Sequence, residues 1–120
     1  MAKTDFTHLD AVETATIADG ESLSSAVNLG KMTLVSIQST SDLEGTAYTF
    51  QGSLDGVAYS NIYDEAGTEV NFPVSEDRLV KITNAMYFHG LQYIKVRTGT
   101  AASATAQTGA ITIKLGLVAI

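Results

Sequence analysis

The chain has no cysteine and no tryptophan, one proline in 120 residues, and two histidines far apart. Without cysteine there is no disulfide framework, no thiolate nucleophile and no cysteine-based metal site. His8 and His89 lack a second histidine at ligand spacing, so no zinc motif is written. Nucleophile elbow, P-loop and dinucleotide fingerprint are all missing. No apolar run approaches the roughly 18 residues of a membrane span, and the first 15 residues lack a signal-peptide core. Only seven residues are Lys or Arg, and the net charge is −6. Such a chain lacks the clustered cations that phosphate neutralisation requires. These absences predict a non-enzyme with no catalytic residues, no metal and no cofactor, which binds neither nucleic acid nor membrane. They also fit folding in a reducing cytoplasm.

The charge that is present is uneven. All 13 acidic residues lie at or before Asp77, with Lys3 and Lys31 among them, so that part sums to −11. The remainder carries Arg78, Lys81, Lys95, Arg97 and Lys114 and sums to +5. Such polarity can orient a protein on a partner surface.

What dominates the rest is period-two alternation rich in Thr, Val, Ile, Tyr and Phe, broken by turn residues. Strands are expected over residues 32–39, 47–54, 59–63, 69–72, 79–82, 92–98 and 110–118. An N-terminal strand or pair is expected at 14–18 and 25–29. The one helical turn falls near 83–89. About eight short strands without a long helix predict an all-β chain, an antiparallel β-sandwich or jelly roll. Residues 1–11 read as a polar N-terminal arm and 12–120 as a single sandwich domain. Residues 99–109 (GTAASATAQTG) read as a mobile small-residue loop with nothing large to anchor it.

The segment QGSLDGVAYSNIYDEAG (residues 51–67) holds the most suggestive side chains. Asp-Gly is a strong hairpin signal, because glycine accepts positive φ and aspartate tolerates it. Asp55-Gly56 and residues 64–67 are therefore expected as two turn tips of a β-meander rather than metal or sugar ligands. Tyr59 is expected to anchor back into the core. Tyr63 on the same face keeps a glycan platform open. Tyr93, Lys95 and Arg97 share one strand face and form a modest basic stripe, an ionic interface or a solvated face.

Ser53-Leu54-Asp55-Gly56-Val57-Ala58-Tyr59 and Gln92-Tyr93-Ile94-Lys95-Val96-Arg97 resemble the hairpin and late strand of galactose-binding-like jelly rolls. TATIADGESLSSAVNLG, MTLVSIQ, YTFQGSLDGVAYSNIYDEAGTEV and LQYIKVRTGT together resemble small virion proteins of tailed bacteriophages, over roughly residues 14–118. The second resemblance implies a capsid decoration (cement) protein with a jelly-roll fold. Such a protein is made in the host bacterial cytoplasm and bound to the capsid surface, against the major capsid protein or other virion proteins. It implies no site residues. The open alternatives are a carbohydrate-binding or adhesion module, and a neck or tail adaptor of the virion. A homo-oligomer, dimer or trimer, is expected from the final segment, read as an edge strand with apolar residues. The candidate partner contacts are Phe6, His8 and Leu9 of the arm, the Lys95/Arg97 stripe, and Thr100 and Gln107 of the small-residue loop.

Overall fold

The structure is a computed structural model and describes residues 9–119. Nine strands form two antiparallel sheets: β1 (Ala11–Ile17), β2 (Val27–Asn28), β3 (Met32–Gln38), β4 (Ala47–Ser53), β5 (Ser60–Asn61), β6 (Phe72–Pro73), β7 (Leu79–Lys81), β8 (Tyr93–Thr98) and β9 (Ile111–Ala119). One sheet runs β1-β9-β3-β7; the other runs β2-β8-β4-β5, with β6 also on β4. The all-β sandwich expected from the alternation is therefore present, with nine strands where about eight were expected. A 3-10 turn, Ala85–Phe88, occupies the expected helical position.

The core follows from the alternation. Ile111, Ile113, Leu115 and Leu117 of β9 are buried against Tyr48, Phe50, Ile94 and Val96 of the opposite sheet. Each such side chain contributes roughly 1.5–3 kcal/mol on burial. Phe50, Phe72 and Phe88 form an aromatic cluster, with Phe50 edge-on to Phe88 at 5.0 Å and to Phe72 at 5.6 Å.

In β3, Leu34 and Ile37 both point inward although three residues apart. Strict alternation forbids this, and a bulge resolves it. The register with β9 shifts between Leu34 and Ser36, leaving Val35 as the extra residue. Its carbonyl accepts from Ile82 N at 2.9 Å.

Three expectations need correction. The segment after β4 is no meander. β5 and β6 are two pieces of one interrupted strand, and both pair with β4. Between them the chain makes a side excursion closed by the Tyr63–Glu69 bridge. Asp64 tightens it by accepting from Ala66 N and Thr68 N, both at 2.9 Å. Next, β9 is not an edge strand. It lies between β1 and β3 with Leu115, Leu117 and Val118 buried, so the stated basis for self-association is absent. Finally, the 99–109 loop is anchored. Gln107, 2 % exposed, donates to Glu44 O (2.7 Å) and Thr98 Oγ1 (3.0 Å) and accepts from Glu44 N (3.0 Å).

Candidate functional site

Strand registers sort the connections into two ends. β4 ends where β8 begins (Ser53↔Tyr93), and Asn28 also pairs with Tyr93. Met32 N donates to Leu29 O, and Met32 faces Ala119, so β3 starts and β9 finishes at this same end. The chain also enters β1 there, at Ala11↔Leu117. The opposite end gathers residues 18–22, 39–46, 74–78 and 99–110, tied by Gly20 N→Gln107 O, Asp77 N→Thr40 O and Ser39 N→Arg78 O.

The first end exposes apolar side chains. Leu54 is 76 % and Val57 84 % exposed, on the tip that follows β4. Met86, on the 3-10 turn, is 72 % exposed, and Leu9 and Tyr63 are about half exposed. The tip is rigidly built. Asp55 Oδ1 accepts from Val57 N (2.8 Å), Ala58 N (3.1 Å) and Ser53 Oγ (3.1 Å), and Ser53 Oγ accepts from Gly56 N (2.8 Å). The amides of Val57 and Ala58, with the Ser53 hydroxyl, hold the Asp55 carboxyl below its ordinary pKa. Gly56 has φ +81°, and a Cβ there would meet the Tyr93 ring at 2.8 Å. Only glycine suits that position.

Two clefts open near this end. One, of about 450 Å³, is lined by Ser53, Asp55, Asn61, Tyr63 and Leu91 among others. The other, of about 640 Å³, lies between β3 and the 79–89 segment and includes Leu9, Val35, Lys81 and Met86.

The basic stripe is folded inward rather than presented. Tyr93 lies against Gly56, Lys95 Nζ sits 4.3 Å from the Tyr59 ring centroid, and Arg97 is 7 % exposed. Arg97 donates from Nε to Thr49 Oγ1 (3.0 Å), from Nη1 to Asn61 Oδ1 (2.9 Å) and from Nη2 to Glu69 Oε2 (3.1 Å). Glu69 also accepts from Ala101 N at 3.1 Å, so one guanidinium fixes the excursion and the 99–104 loop to the sheet. This position also corrects the reading of Tyr59. It covers Lys95 on the outer face of the sheet and takes no part in the core between the sheets.

The expected contact residues are thus not brought together. Leu9 lies at the apolar end, and Lys95 and Arg97 are engaged within the fold. Thr100 closes a turn with Ser103 through reciprocal backbone bonds of 3.0 and 3.2 Å, and Gln107 is interior. Phe6 and His8 lie outside the described residues. Sequence reasoning missed Leu54 and Val57. The signal was there: apolar residues flanking Asp-Gly sit at a hairpin tip, where no second layer can cover them. Among the described residues no group of three His, Asp or Glu side chains is placed to hold a metal ion. Comparison with protein-family models, curated proteins and solved structures gives no match, so geometry and chemistry carry the functional argument.

Proposed function

We propose that the protein is a structural component of a tailed-bacteriophage virion. In this reading it is a capsid decoration protein that attaches by its apolar end to the major capsid protein. The observation that carries the reading is the rigid tip with Leu54 and Val57 in solvent, beside Met86 and two clefts. Side chains held out in water gain free energy when a partner covers them, roughly 1.5–3 kcal/mol each. A ligand that binds only the assembled shell stabilises that shell through its binding free energy. The sequence resemblance supplies the virion setting. Mass spectrometry of purified virions tests it: the protein is expected among the head proteins, and its absence overturns the reading.

One observation favours a second reading, a carbohydrate-binding module. The half-exposed Tyr63 lines the smaller cleft with Asp55, Ser60 and Asn61, and Asn61 Oδ1 is committed to Arg97, which leaves its amide N–H groups to donate elsewhere. Specific binding on a glycan array, lost in Tyr63→Ala but retained in Tyr59→Ala, would favour the module over the capsid protein.

A further inference from the structure

The two edges of the β1-β9-β3-β7 sheet carry opposite charge. Residues 10–17, DAVETATI, hold Asp10 and Glu13 and no cation; residues 78–82, RLVKI, hold Arg78 and Lys81 and no anion. Each edge also shows water an apolar side chain on the outer face of the sheet. Val12 is 56 % exposed and Leu79 59 %.

The registers fix where the edge backbones point. Ile82 N donates to Val35 O and Ser39 N to Arg78 O, so Arg78, Val80 and Ile82 turn toward β3. Leu79 and Lys81 therefore turn away from it. By the same alternation Ser36 and Gln38 turn toward Gly116 and Lys114, which leaves Ile113, Leu115 and Leu117 to bond β1. On β1 this sets Val12, Thr14 and Thr16 outward, and the Thr16 carbonyl accepts from Ser25 N at 3.0 Å. Among the described residues, no hydrogen bond reaches the outward backbone groups of Val12, Thr14, Leu79 or Lys81. Three successive antiparallel pairings make β7 run opposite to β1. A second copy set beside the first in the same orientation thus presents its β7 antiparallel to β1.

We propose that copies of this chain associate head to tail, the β1 edge of one taking the β7 edge of the next as an added strand. The register that sets Val12 opposite Leu79 lets these two outward residues exchange both backbone bonds. It also sets Ala11 opposite Val80, both half-buried on the inner face, and Glu13 opposite Arg78, both exposed. Asp10, whose Oδ2 accepts from Ala119 N, comes opposite Lys81. Apolar and opposite-charge pairs of this kind each stabilise a sheet. Pairing either edge with itself would gather acids with acids or bases with bases. Because β1 and β7 are different surfaces, the contact closes into a ring or continues as a filament according to the rotation between copies. Both edges run along the flanks of the sandwich, so the apolar end stays uncovered. The inference is independent of the virion reading, and its test uses the isolated full-length protein.

The chain has no cysteine, so single-cysteine variants report the contact directly. Cα atoms opposed across a hydrogen-bonded antiparallel pair lie about 5.5 Å apart, within disulfide reach. Val12→Cys and Leu79→Cys, mixed and oxidised, should give a disulfide-linked heterodimer in clear excess over the homodimer of either variant alone. Adding Glu13→Arg to the first should cut the heterodimer yield at least about fivefold, and adding Arg78→Glu to the second should restore it. Homodimers of either variant in equal or greater yield would assign a two-fold contact and overturn the proposal. Absence of any heterodimer, or a yield that ignores both charge changes, would overturn it as well. Absence of the protein from virions would overturn the function proposed above and leave this result standing.

Discussion

At one end of the sandwich, carboxylates and an interior amide reach across the connections and hold them; at the other, the tip after β4 carries apolar side chains into water. The acidic end contains Asp19, Glu21, Asp42, Glu44, Glu76 and Asp77 against Arg78. Two of these carboxylates act as fasteners: Glu44 accepts from Thr108 N at 2.8 Å and Asp19 from Gly109 N at 2.9 Å, while Gln107 ties the inside. At the apolar end Gln92 Nε2 donates to Asn28 Oδ1 at 2.6 Å, but the side-chain hydrogen bonds of the Ser53–Asp55 turn stay within the tip and leave Leu54 and Val57 uncovered. Polar closure makes an end that needs no partner. Apolar display makes one that gains from having a partner.

Substitutions sharpen this contrast. The largest stability loss is expected between the two ends, from Arg97→Ala, which leaves Glu69 without its ion pair; we expect about 3 kcal/mol in a denaturant titration. Gln107→Ala follows, at about 2 kcal/mol, because the Glu44 and Thr98 groups lose a buried partner. By contrast, the double variant Leu54→Asp/Val57→Asp should stay within about 0.5 kcal/mol of the parent, as is usual for exposed sites.

The two ends also differ in response to pH. Tyr48, near the acidic end, is pushed up by burial, partly offset by its 2.6 Å bond with Ser39. A raised folded value means that its contribution is complete below the unfolded tyrosine pKa of about 10 and fades as pH rises toward the folded value. Alkaline unfolding should therefore be blunted in Tyr48→Phe. Asp55, at the apolar end, is shifted down, so its turn is fully held above the unfolded carboxylate pKa and weakens as pH falls through the folded value. Amide shifts of Val57 and Ala58 in NMR should report that loss in acid.

Much of the scaffold was legible because buried faces impose period two: β4, β8 and β9 fall within a residue or so of the expected segments. The interrupted strand was not, since nothing in residues 59–72 says that both pieces choose the same neighbour. Pro73 is the last residue of β6 and pairs with Ala47 at the sheet margin, where a missing N–H costs nothing in the ladder. The fate of Lys95 and Arg97 was hidden for a related reason. Their partners, Tyr59, Asn61 and Glu69, are brought over them by the excursion. Gln107 among small residues looked unanchored, although a lone long amide in such a loop is a natural staple.

In the proposed function the apolar end docks on the capsid, which would leave the acidic end facing away. The most direct test is titration of purified protein onto capsids that lack it, with bound copies per capsid counted by quantitative mass spectrometry. The account predicts at least about tenfold weaker binding for Leu54→Asp/Val57→Asp, since tenfold corresponds to about 1.4 kcal/mol, and unchanged binding for Glu76→Lys/Asp77→Lys. Full binding by the first variant together with loss by the second would contradict it.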